Sequence, residues 1–277
     1  MNIQRLAILG TGSMGKAILA GPIKSGFSPA NITATTKSAA SADALAAEYG
    51  ILSFALENGE DANQMAVAGA DVVLVAVKPA YVASTLAEVA DNLDDNALVI
   101  SVAAGITIET MQQVTPEDVA VVRAMPNTPA IVGRAITGVA AGNRASQEDL
   151  DTAVALFETV GQTITVDESQ IDALSTISGS GPAYVFFLIE QFTAAAQSMG
   201  FSAEQASLMV NETFLGASLL LEASGKSPAE LRRQVTSPNG TTERAIAELE
   251  KADLKAKFET ATAAALARAR EIASGNR

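Results

Sequence analysis

Leu6-Ala7-Ile8-Leu9-Gly10-Thr11-Gly12-Ser13-Met14-Gly15 is the stretch on which the fold turns. Four apolar residues read as a buried strand, and the glycines that follow open a helix. Gly10 allows the tight turn, Gly12 lets the backbone approach a pyrophosphate, and Gly15 lets helix and strand pack closely. The spacing alone also fits a purely structural turn; strand, turn and helix in that order favour a bound nucleotide.

Outward from this loop, short β-type runs alternate with helical ones for about 165 residues. Strands are expected at Leu6–Leu9, Ile32–Thr35, Val72–Val77, Leu98–Val102, Val119–Ala124, Ile136–Ala141 and Thr163–Val166. Helical segments such as Ala39–Tyr49, Ala80–Asn92 and Gln147–Val160 lie between them. The continuously apolar Val72–Val77 run suits a central parallel strand covered on both faces. The alternation implies an open, mostly parallel sheet with helices on both sides.

From Ile171 onward the strand signals stop. Helices are expected over Pro182–Met199, Ala203–Ala223, from Pro228, over Thr242–Glu250 and over Leu254–Ser274. Ser202 with Gln205 forms a capping box, and Ser227-Pro228 supplies an N-cap followed by proline at the first helical position. The fold class expected is therefore α/β then all-α: a Rossmann-type domain over 1–165 and a helical domain over 166–277. Tyr184–Ile189 is apolar nearly all the way round its helix, which points to burial against a second subunit, a homodimer.

Composition narrows the function. A 48% hydrophobic share with 18% charged residues is globular, and the net charge of −13 argues against nucleic acid or anionic membrane as partner. The longest apolar runs fall short of the roughly 18 residues needed to cross a bilayer, and Met1–Arg5 carries no signal-peptide pattern. The absence of cysteine fits a reducing, cytoplasmic setting. No spaced His, Cys or carboxylate set points to a metal.

The second strand bears on the cofactor. Thr33-Ala34-Thr35-Thr36-Lys37-Ser38 has no acid where an NAD site places one for the ribose 2′-hydroxyl. Hydroxyls and one lysine suit a 2′-phosphate, hence NADPH with NADH possible; the alternative is a polar surface loop. Lys78-Pro79 stands at the carboxyl edge of the sheet, as a ligand contact or as a solvated strand end. In the helical half, Ser237-Pro238-Asn239-Gly240-Thr241-Thr242 makes a turn and starts a helix, gathering amides and hydroxyls that suit an anion such as a carboxylate.

Several segments in order along the chain resemble the pyrroline-5-carboxylate reductase family. They are Gly10–Gly15, Val77-Lys78-Pro79, Ser101–Gly105, Arg123–Pro129, Asp172-Ala173, Ser178–Tyr184 and Ser237–Thr242. The resemblance implies NADPH-dependent reduction of 1-pyrroline-5-carboxylate to L-proline by a homodimer, with dimers assembling further into a ring such as a homodecamer. It places Gly12, Ser13 and Met14 on the pyrophosphate and Thr36 and Lys37 on the 2′-phosphate. Asn63 falls near the adenosine, and Ala76, Lys78 and Pro79 beside the nicotinamide half. Ser237 and the amides of Gly240 and Thr241 receive the substrate carboxylate, with the Thr242 hydroxyl at the ring nitrogen as the catalytic group. Asn239 departs from the family's usual glycine, and asparagine is the next most tolerant residue of left-handed backbone.

The residue inventory agrees with that chemistry. Reducing a ketone creates an alkoxide and calls for a positioned acid, most often His, Lys or Tyr. This chain has no His. A protonated imine needs no such acid, and positioning alone can accelerate its reduction greatly. Arg123 is expected in a structural ion pair rather than on substrate, Tyr184 in core or interface, and Ser178–Pro182 as a ligand contact or simply a helix start. Two other readings stand beside this one. A two-domain hydroxyacid dehydrogenase needs a helical lysine motif that is missing after residue 165; a non-catalytic NADP sensor would have no reason to keep the Ser237–Thr242 turn.

Overall fold

The computed structural model describes residues 3–59 and 61–273. Met1, Asn2 and Ser274, which the sequence reading assigns to the N-terminal segment and the last helix, lie outside the described residues. Contacts divide the chain into two compact units, residues 181–264 forming the second.

The first unit is built on one sheet of eight strands. These are β1 (Leu6–Leu9), β2 (Ile32–Thr36), β3 (Leu52–Ala55), β4 (Val72–Val75), β5 (Leu98–Ser101), β6 (Ala120–Met125), β7 (Ala135–Ala141) and β8 (Gly161–Thr165). Their spatial order is β3-β2-β1-β4-β5-β6-β7-β8, parallel except where β6 meets β7. The order reverses between β1 and β4, which opens a crevice at the carboxyl ends of those strands. Helices α1 (Ser13–Lys24), α2 (Ala39–Tyr49), α3 (Ala62–Val67), α4 (Val82–Val89), α5 (Ile108–Gln112), α6 (Gln147–Glu158) and α7 (Glu168–Leu174) connect the strands and follow the last.

Alternation along the central strands explains the sheet's two buried faces. Leu6, Ile8, Leu74, Ile100 and Val122 feed one apolar cluster. Ala7, Leu9, Val73, Val75, Val99 and Val121 feed the other. A strand that must be apolar at every position reads as a continuous run, which is why β1 and β4 are plain in the sequence.

Two elements differ from the sequence reading. β3 is an additional strand, with only Ala55 of its four residues buried, so its pattern carries little signal. β4 ends at Val75 rather than Val77, because Val77 turns to pack beneath Gly10. Residues 166–180, counted with the helical half by sequence, pack with the sheet. Ile171 is buried in the second cluster, and Arg123 on β6 pairs with Glu168 at 3.4 Å and Asp172 at 2.6 Å.

The second unit comprises α8 (Gly181–Ser198), α9 (Ala203–Ser224), α10 (Pro228–Gln234), α11 (Thr241–Glu250) and the first half of α12 (Leu254–Ala273). Both expected caps are present: Ser202 and Gln205 form a reciprocal box at α9, Ser227 and Glu230 another at α10. Tyr184 packs its ring against Phe258, centroids 6.4 Å apart. Ala196, Ala206 and Val210 are the buried apolar residues among those described in this unit. Phe186 on α8 is 65% exposed and Leu208 on α9 is 64% exposed. No helix among the described residues is long and apolar enough to cross a membrane.

Candidate active site

The glycine loop is held from β2. Thr35, fully buried, accepts the Gly10 amide on its hydroxyl at 3.0 Å, and its carbonyl accepts the Thr11 amide at 2.8 Å. Gly10 sits at φ +81°, and a Cβ there would stand 2.5 Å from Val77 Cγ1. Only glycine fits. A Cβ on Gly15 would press on the Gly10 carbonyl at 3.1 Å and on Ala76 at 3.3 Å. Gly12 is different: a Cβ there meets no atom within 4 Å. Nothing in the chain requires a bare backbone at Gly12; a molecule approaching from outside would.

Gly12 is the N-cap of α1 and has no side chain to cap it. The amides of Ser13 and Met14 at that helix start make no hydrogen bond among the described residues. With the helix dipole behind them they form an anion cradle at the β1/β4 crevice. Lys16 does not serve it: its ammonium pairs with Glu48 at 2.7 Å and lies 5.7 Å over the Tyr49 ring. The hydrogen bond to Glu48 raises the Lys16 pKa and lowers that of Glu48. An anion entering this cradle would meet backbone amides rather than a free lysine, in a chain whose net charge is −13. The residues fit a dinucleotide.

Other expected cofactor residues are distributed unevenly. Ala76 and Val77 close on the loop, and Ala76 donates its amide to Leu9 at 2.8 Å. Lys78 is exposed and Pro79 opens a short 3₁₀ turn. Lys37 is exposed too, and neither lysine makes an ion pair among the described residues. Thr36 is 4% exposed and its hydroxyl donates to the Ser38 carbonyl at 2.9 Å. Lys37 alone of that pair faces outward. Asn63 is 4% exposed, its amide donating to both oxygens of Glu88 at 3.2 Å.

Sequence reasoning missed Asn127 as a positioning residue. It accepts the Ile136 amide at 3.0 Å and donates to the Ser178 carbonyl at 2.9 Å. That second bond holds the π turn Ser175–Gly179, where the Ser180 amide reaches back five residues to Ser175. Arg123 behaves as expected, 3% exposed and paired with two carboxylates. A proline-asparagine turn was the available signal; its partner 51 residues away was not.

In the helical unit, Ser237–Thr242 forms the expected turn and helix start. Asn239 sits at φ 59°, the left-handed conformation its side chain tolerates. Its amide donates to Glu243 at 2.8 Å. The Gly240 amide donates to the Ser237 carbonyl at 3.0 Å, so Gly240 closes the turn rather than offering a donor. Gly240 is also the N-cap of α11, with no side-chain cap. The amides of Thr241 and Thr242 and the hydroxyls of Ser237 and Thr242 remain exposed and unbonded among the described residues. This too is an anion cradle, with hydroxyls in reach.

A doubly wound sheet with a glycine loop at its switch point, followed by a helical unit, defines a two-domain NAD(P)-dependent oxidoreductase. Residues 5–105 match the family described as NADP oxidoreductase, coenzyme F420-dependent, and residues 168–272 match pyrroline-5-carboxylate reductase dimerisation. The pyrroline-5-carboxylate reductase of Corynebacterium melassecola is 37% identical over 270 residues, covering 96% of this chain and 98% of that protein. The solved structure of a pyrroline-5-carboxylate reductase from Coxiella burnetii matches with TM-score 0.91 at 35% identity, covering 98% of each chain. That of Plasmodium falciparum pyrroline carboxylate reductase, solved with NADP bound, matches with TM-score 0.82 at 25% identity, again covering 98% of each. The chain belongs to the pyrroline-5-carboxylate reductase family.

Proposed function

We propose that this chain reduces 1-pyrroline-5-carboxylate to L-proline with NADPH, the last step of proline biosynthesis, as a cytoplasmic homodimer able to build a ring of dimers. The observation that carries the reading is the uncapped start of α11, a cradle of amides and hydroxyls in a chain without histidine. The relatives' names and their near-complete coverage support it.

The Ser13 and Met14 amides hold the pyrophosphate and Lys37 faces the 2′-phosphate, with Ala76, Lys78 and Pro79 beside the nicotinamide half. The bound cofactor supplies a hydride. Thr241 and Thr242 amides, with the Ser237 hydroxyl, hold the substrate carboxylate. The Thr242 hydroxyl hydrogen-bonds the ring nitrogen and orients the imine. A protonated imine that gains a hydride becomes a neutral amine, so no alkoxide forms and no strong acid is required. Catalysis rests on positioning. Thr242→Ala should lower turnover about 100-fold while NADPH affinity, measured by its fluorescence on binding, stays the same. Unchanged turnover in that variant removes Thr242 from the mechanism.

A further inference from the structure

The end of β2 has no acid, yet the structure brings one there from another strand. Glu57 lies in the short 3₁₀ turn that follows β3. Its amide donates to the Lys37 carbonyl at 3.3 Å, and its carboxylate accepts the Ala39 amide at 2.6 Å. The Ser38 hydroxyl accepts the Ser41 amide at 3.3 Å in the same first turn. The start of α2 is therefore closed by a hydroxyl and a carboxylate together, immediately beside the one lysine that faces outward from the β2–α2 loop.

Resting on the cofactor reading above, we propose that Glu57 sets the choice between the two nicotinamide cofactors. An acid at this edge of a doubly wound sheet accepts the ribose 2′-hydroxyl. A 2′-phosphate placed here meets a fixed negative charge that already engages the first donor of α2. Lys37 draws the phosphate in and Glu57 opposes it, so the site accepts NADH and NADPH alike. The usual arrangement puts the acid on β2 itself; here it comes from the turn that follows the neighbouring parallel strand, 21 residues beyond the end of β2.

The experiment is equilibrium binding of NADPH and of NADH to the full chain and to Glu57→Gln and Glu57→Ala, followed by nicotinamide fluorescence. The wild type should bind the two within about tenfold of each other. Glu57→Gln removes the charge but keeps an acceptor for Ala39, so the helix start survives; NADPH should tighten about tenfold while NADH changes little. Glu57→Ala should tighten NADPH similarly and weaken NADH about tenfold through loss of the hydroxyl contact. A ratio of the two affinities unchanged in both variants would overturn the proposal and leave Glu57 as a helix cap. Binding of neither cofactor by the wild type would instead overturn the cofactor reading on which it rests.

Discussion

Gly10 and Gly12 stand two positions apart and are glycine for opposite reasons. The first is required by the fold: its backbone is left-handed and a Cβ there would collide with Val77. The second is required by nothing inside the chain. Gly10→Ala should lower stability by about 1–3 kcal/mol in urea unfolding, through strain and displacement of the loop. Gly12→Ala should cost less, about 0.5–1 kcal/mol for the poorer N-cap, and yet weaken NADPH binding more than tenfold. Equal NADPH affinity in wild type and Gly12→Ala would mean that no pyrophosphate passes there. The motif's spacing was legible in the sequence, and so was the tolerance of Asn239 for its left-handed turn. What spacing could not give was partnership across the fold. Asn63, for one, gives its amide to Glu88 on a helix 25 residues away.

Helices and strands were legible in proportion to how fully burial imposes a period. β1 and α2 have the bounds the sequence suggests, because one is apolar throughout and the other opens on Ser38 and closes on a left-handed Gly50. β3 was not legible: a half-exposed edge strand has neither a continuous apolar run nor strict alternation. In the helical unit, α8 exposes Phe186, Phe187 and Phe192, and α9 exposes Leu208, Leu215 and Leu219. Large apolar side chains left exposed in such number suit an interface, and the matched family description is of dimerisation. Replacing Phe186 and Phe187 together by Glu should weaken self-association more than tenfold and move the protein to monomer size in gel filtration. A wild-type chain that runs as a monomer at micromolar concentration would contradict the dimer.

Across the whole molecule, two helix starts carry the functional argument. Both α1 and α11 begin at a glycine without a capping side chain, and both leave amides for an anion from outside. One suits a pyrophosphate and the other a carboxylate flanked by hydroxyls. No histidine is present to protonate an alkoxide, so the same scaffold that suits an imine is poorly equipped for a ketone. The central claim is therefore about the bond reduced. It is tested by following NADPH oxidation at 340 nm, a property of the cofactor rather than of this chain, with 1-pyrroline-5-carboxylate and with 2-oxo acids of similar size in parallel. Rapid oxidation with the imine and none above background with the oxo acids is the predicted result; turnover of the oxo acids alone, or of neither substrate, would contradict it.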